Sequence, residues 1–174
     1  RVRARWIRWR RRWIRRRRRL GEMVMPNFRR MGRHLLMTHW KVGQAFPRKA
    51  LQAIERAISA GEASHIGQLC FVVEGALSWA GLLKGLTARE RAIEVFSQQR
   101  LWDTEHNNGV LIYLLLADRS VEIVADRGIH QKVGAREWNA VCRQMEAAFR
   151  KGEYEAGGIA GVESIGQHLR QHFP

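Results

Sequence analysis

The sequence predicts a single α/β domain, a small mixed β-sheet covered by helices in a three-layer α/β/α sandwich. Three observations carry the prediction. Leu69 to Glu74 (LCFVVE) and Val110 to Leu116 (VLIYLLL) are apolar runs of strand length, the pattern of strands buried on both faces. Segments of helical periodicity lie before, between and after them. A polar turn at Asp118-Arg119 then separates the second run from an alternating segment, which predicts a hairpin.

Each element has a local reason. Pro47 suits a first helical turn, Leu51, Ile54 and Ile58 follow at helical spacing, and Gly61 marks the stop. The run Leu69 to Glu74 is a buried central strand. Thr87-Ala88-Arg89-Glu90 is a capping box opening a helix that runs to about Arg100, with Ile93 and Phe96 inward. A helix joins the first two strands, so they are expected to be parallel with a right-handed crossover. Val121, Ile123 and Ala125 alternate with Glu122, Val124 and Asp126, giving a third, antiparallel strand. A long helix follows with Trp138, Val141, Cys142, Met145 and Phe149 on one face. Gly157, Gly158 and Gly161 are expected to interrupt the chain before a final helix through Ile165 and Leu169.

A length of 174 residues is ample for one core without staples. The net charge of +15 is concentrated at one end: residues 1–22 hold 12 Arg and one Glu and contribute +11. Cys70 and Cys142 belong to no paired motif, which argues against a disulfide framework or zinc site and for buried, reduced thiols. No run approaches the roughly 18 apolar residues of a membrane span, and no apolar stretch of a secretory signal follows the basic start. The expected location is cytoplasmic, with peripheral membrane contact.

Three segments follow: an Arg/Trp-rich head at 1–24, a basic amphipathic piece at 25–45, and the domain at 46–174. In the head, Val2, Trp6, Ile7, Trp9, Trp13, Ile14 and Leu20 share one broad helical face and Arg fills the rest. Such a helix suits an anionic membrane surface or, less specifically, nucleic-acid phosphates. The favoured reading is translation upstream of a true start, since Met23 and Met25 stand just downstream; nucleic acid is the least favoured partner. In the second piece, Arg29, Arg30, Arg33 and Lys41 form a membrane or anion surface, while Leu35, Leu36, Met37 and Trp40 suit packing on the domain, the favoured reading, or resting on a membrane.

Within the domain, Glu90-Arg91-Ala92-Ile93-Glu94-Val95-Phe96, a Trp-containing polar loop and Asn108-Gly109-Val110-Leu111-Ile112 resemble the TPM domain. Asp118-Arg119-Ser120-Val121-Glu122-Ile123, Phe149-Arg150-Lys151-Gly152-Glu153-Tyr154 and Gly161-Val162 extend the resemblance over about residues 46–173. The family includes thylakoid-lumen proteins with acid phosphatase activity and photosystem II repair factors. The resemblance therefore implies the α/β fold, a calcium site and phosphatase chemistry. Family members commonly carry Asp-Asn-Gly where this chain has Asn107-Asn108-Gly109.

The loop Asp103-Thr104-Glu105-His106-Asn107-Asn108 concentrates oxygen and imidazole groups. A hairpin at Asp118-Arg119 places Asp126 to Gly128 opposite Gly109 to Leu111, at the same sheet end as that loop. Asp103, Glu105, Asn108 and Asp126 are candidate ligands for Ca²⁺ or Mg²⁺, with His106 a candidate proton donor and His130 nearby. A solvated polar loop, with Asn108 and Gly109 serving the turn and Asp126 capping a strand end, is the structural alternative. The opposite end offers Glu74, Gly75, Asp118 and Arg119, where ligands of open α/β sheets favour the strand carboxyl ends. No organic-cofactor motif is present. Two functions follow: an adaptor or accessory factor for a membrane-associated complex, which is preferred, and a weak metal-assisted phosphatase.

Overall fold

Three strands form the sheet in the order β1-β2-β3, in a computed structural model that describes residues 27–37 and 39–174. The arginine-rich head, Met25 and Pro26 lie outside the described residues. β1 (Leu69–Glu74) runs parallel to β2 (Val110–Leu115), and β3 (Ser120–Ala125) returns antiparallel through a 3₁₀ turn at Leu116–Asp118. Arg119 closes that turn in the left-handed region at φ 54°. Ala125 pairs with Val110, so Asp126 sits opposite Gly109 and the chain then runs toward Asn107 rather than along β2. The expected placement of Asp126 to Gly128 opposite Gly109 to Leu111 is corrected: Leu111 pairs with Val124 and Val110 with Ala125, so of that stretch only Asp126 meets Gly109.

Helices cover both faces. Before the sheet come α1 (Phe28–Leu35), α2 (His39–Ala45) and α3 (Arg48–Glu62); between β1 and β2 lie α4 (Trp79–Leu83) and α5 (Ala88–Gln98). After β3 come α6 (Arg127–Val133), α7 (Ala135–Arg150) and α8 (Tyr154–His172). β2 is the hub, and its side chains alternate between two cores, as the pleat dictates. Val110, Ile112 and Leu114 meet Ile54 of α3, Met145 of α7 and Ile165 of α8. Leu111, Tyr113 and Leu115 meet Leu82 of α4 and Ala92, Val95 and Phe96 of α5. The capping box is as expected: Thr87 Oγ1 accepts from Glu90 N, and Glu90 Oε2 accepts from Thr87 N.

Three local expectations are corrected. Gly157, Gly158 and Gly161 do not interrupt α8 but lie inside it, buried. A Cβ would strike Phe149 at position 157, Ile54 at 158 and Met145 at 161, so close packing outweighs glycine's helix cost of about 1 kcal/mol. Short α6 intervenes before the long helix, with Asp126 capping that helix rather than a strand end. Leu35, Leu36 and Trp40 do not pack on the domain; each is about 70 % exposed, whereas Met37 lines two cavities.

Candidate functional site

At the amino end of β2, the loop 101–109 is shaped by its own backbone. A Cβ at Gly109 would strike the Leu101 carbonyl, and Asn107 takes a left-handed φ of 52°. Thr104 Oγ1 accepts from Asn108 N at 3.0 Å. The strand end does meet this loop, because Asp126 N donates to Gly109 O at 2.8 Å and Ile129 N to Asn107 O at 3.2 Å. The candidate ligands are another matter. Asp103, Glu105, His106 and His130 are exposed, while Asn108 is buried with its Nδ2 donating to Ile66 O at 3.2 Å. Asp126 Oδ1 accepts from Arg127 N at 2.7 Å, capping α6. Its Oδ2 is buried without a partner among the described residues, and burial pushes this carboxyl above its usual range against the pull of Arg127.

Asn107 Oδ1 accepts from Arg127 Nε at 3.2 Å. A guanidinium thus lies beside the positions a cation would need. Among the described residues no group of three or more His, Cys, Asp or Glu is placed to hold a metal ion. As arranged, this donor set does not fit Ca²⁺ or Mg²⁺, which take six or more oxygens.

At the carboxyl end, two ion-pair networks converge that the sequence reading named only in part. Arg30 reaches Asp118 through Nε and Nη2, at 2.8 Å for the shorter pair, and also donates to Leu86 O. Buried His34 accepts from Leu77 N at Nδ1 (3.0 Å), which leaves Nε2 to donate to Asp118 Oδ1 (3.1 Å). Arg33 adds a looser contact to the same carboxylate. Burial opposes the Asp118 charge, but hydrogen bonds from Arg30 and His34 outweigh it and hold the carboxyl below its usual range. Beside this, Arg91 grips Glu74 in a two-pronged pair, and the Tyr113 hydroxyl donates to Glu74 Oε2 at 2.7 Å. Burial would raise Glu74 as well, yet Arg91 and Tyr113 keep it low; burial and the neighbouring carboxylate push Tyr113 up. Two cavities, of about 560 and 630 Å³, open at this end beside Met37 and α2.

These networks invert the amphipathicity of α1. Arg30 and His34 face the protein; Phe28, Leu35 and Leu36, on the opposite side at helical spacing, are 75 %, 68 % and 68 % exposed. Arg29 and Arg33 flank that apolar face, and exposed Trp40 and Lys41 follow on α2. Of the four cations assigned to a surface from sequence, Arg30 is engaged inside. Sequence reasoning missed this because an Arg at i and a His at i+4 beside apolar residues read as an ordinary amphipathic helix, and the partner Asp118 lies far along the chain. The thiols are as expected free and partly buried, with burial pushing Cys142 up to about 11.

A family model described as the TPM domain (TPM phosphatase) matches residues 40–168. Among solved structures, the chain is similar to the BA42 protein from the psychrophilic bacterium Bizionia argentinensis, at 26 % identity and a TM-score of 0.61, covering 72 % of this chain and 82 % of that one. The N-terminal domain of a protein from P. gingivalis shares the fold at 19 % identity and a TM-score of 0.60, covering 72 % and 79 %. No curated protein matches.

Proposed function

The chain belongs to the TPM-domain family, and on that premise we propose that it acts as an accessory factor docking at an anionic membrane surface beside a membrane-associated complex. The observation that carries this reading is the outward apolar face of α1. Phe28, Leu35 and Leu36 are held toward solvent because the polar side of the helix is pinned to Asp118 and Leu77. Large apolar side chains flanked by Arg29, Arg33 and Lys41 match an interface where lipid tails meet anionic headgroups. Trp40 suits the headgroup zone. Among the described residues no helix is long and apolar enough to cross a membrane.

The test is co-sedimentation of the full chain with phosphatidylserine-containing vesicles. Binding should weaken steeply with salt. The double variant Leu36→Ser, Trp40→Ser should lose most of it while keeping its melting temperature, since both side chains are exposed. Equal binding to neutral vesicles, or an unaffected double variant, removes the proposal. The phosphatase alternative has one described feature in its favour, the unpartnered Asp126 Oδ2, and lacks the surrounding ligands that a metal would require.

A further inference from the structure

We infer that the 630 Å³ cavity at the carboxyl end of the sheet binds a small anionic amphiphile, one phosphate or carboxylate head on an apolar body. Three features point to that ligand class. First, the lining carries four cations, Lys41, Arg119, Arg150 and Lys151, against one carboxylate, Glu146. Glu146 is already engaged: Oε1 accepts from Val121 N at 3.1 Å, and Oε2 lies 3.9 Å from Arg150. Lys41, Arg119 and Lys151 meet no carboxylate within 4 Å among the described residues. All four cations are exposed, and lining one open cavity they raise a positive potential that favours an anion there.

Second, these charges come from separate elements. Arg150 and Lys151 end α7, where a cation also complements the helix dipole, but Lys41 belongs to α2 and Arg119 to the 3₁₀ turn. No single helix end accounts for the cluster. Arg119 reaches its place through a left-handed φ of 54°, a conformation that usually favours glycine. Ser120 beside it lines the same cavity and has a buried hydroxyl without a partner among the described residues.

Third, the floor is apolar. Met37, Leu114 and Leu116 contribute aliphatic surface, and Phe149 stacks on Tyr154 at 5.5 Å between centroids. The volume is that of ordinary small-molecule sites, roughly 300–1,000 Å³. A polar metabolite such as a free nucleotide phosphate would leave that floor unmatched; a neutral lipid would leave the cations unmatched.

The experiment is calorimetric titration of the full chain with decyl phosphate below its micelle concentration, beside decanol and inorganic phosphate. Decyl phosphate should bind saturably at one per chain, and each half-ligand about tenfold or more weaker. Arg119→Gly keeps the left-handed turn and removes the guanidinium, while Lys151→Gln alters an exposed side chain. Each should weaken decyl phosphate about tenfold with the denaturation midpoint retained. Decanol binding as tightly as decyl phosphate, or both variants binding normally, overturns the inference. Displacement of bound decyl phosphate by phosphatidate vesicles would assign the natural head to a lipid, and retention would assign it to a soluble acid. These variants leave Leu36 and Trp40 untouched, so failure here is separate from failure of the vesicle experiment.

Discussion

At the amino end of β2 the loop 103–108 carries two carboxylates, an imidazole and two carboxamides, yet the carboxylates and imidazole turn to solvent, Asn107 accepts from Arg127 and Asn108 bonds to backbone. At the carboxyl end Glu74 and Asp118 are each gripped by an arginine, and Glu146 sits at a cavity wall. The end whose donors crowd one short loop is therefore the poorer site. What separates the two ends is enclosure. A short loop folded on its own backbone leaves its side chains in water, whereas at the far end α1 covers Asp118 with Arg30 and His34 and α2 walls the cavities.

The comparison breaks most readily at Asp118. Asp118→Ala leaves Arg30 and His34 without their acceptor and should cost about 3 kcal/mol in chemical denaturation. Trypsin should then cut faster after Arg30 and Arg33, because α1 has lost its clamp. The pH dependence has a definite sign. The folded-state pKa is depressed, so the stabilisation is complete above the ordinary carboxylate range of about 3.9 and is lost as pH falls through the lower folded value. Asp118→Asn should flatten that acid limb. Intact stability in Asp118→Ala would mean that apolar contacts hold α1.

Glu74→Gln tests the neighbouring network with a smaller effect. An amide oxygen in the Oε2 place would still accept from Arg91 Nε and the Tyr113 hydroxyl, but the amide nitrogen would then face Arg91 Nη2, donor against donor. A loss of about 1.5 kcal/mol is expected, measured as a shift of the urea midpoint without a change in slope.

The sheet was legible because its signals are local and strong. β2 is six apolar residues with the capping box of α5 upstream and the Asp118-Arg119 turn downstream, and each of these feeds directly into topology. The helix over Gly157 and Gly161 was not legible, because glycine's local cost is visible in sequence while the approach of Met145 and Phe149 is not. The inward Arg30 and His34 were hidden for the same reason: their partners, Asp118, Leu86 and Leu77, come from the 3₁₀ turn and the links on either side of α4. The cavity cations were each visible as surface charges, but their convergence depends on where α2, the 3₁₀ turn and α7 end. Asp126 was placed at the correct sheet end by counting hairpin residues, whereas its capping of α6 depended on a helix too short to show periodicity.

At the amino end the expected sign is opposite. Burial raises the Asp126 carboxyl, so its charge opposes folding above the raised pKa, and stability recovers as pH falls from there toward the unfolded value. Asparagine caps a helix as well as aspartate and carries no charge. Asp126→Asn should therefore be more stable than the parent at pH 7 by roughly 0.5 kcal/mol after solvent screening, with the difference shrinking toward acid. A destabilised Asp126→Asn would show that the charge is compensated by a group beyond Arg127.

Divalent metal gives the smallest expected effect and the sharpest separation of the two ends. A native-state ligand at about 100 times its Kd stabilises by roughly 2.7 kcal/mol, which a melting curve resolves easily. With Asn108 bonded to Ile66, Asp126 capping α6 and Arg127 beside Asn107, millimolar Ca²⁺ or Mg²⁺ after EDTA treatment should leave the melting temperature unchanged. A rise that disappears in Asp126→Ala would mean that the loop rearranges to bring Asp103 and Glu105 onto an ion, and phosphate-ester hydrolysis would then need to be assayed with His106→Gln. A rise that survives Asp126→Ala would put the ion elsewhere and leave this end without a metal role.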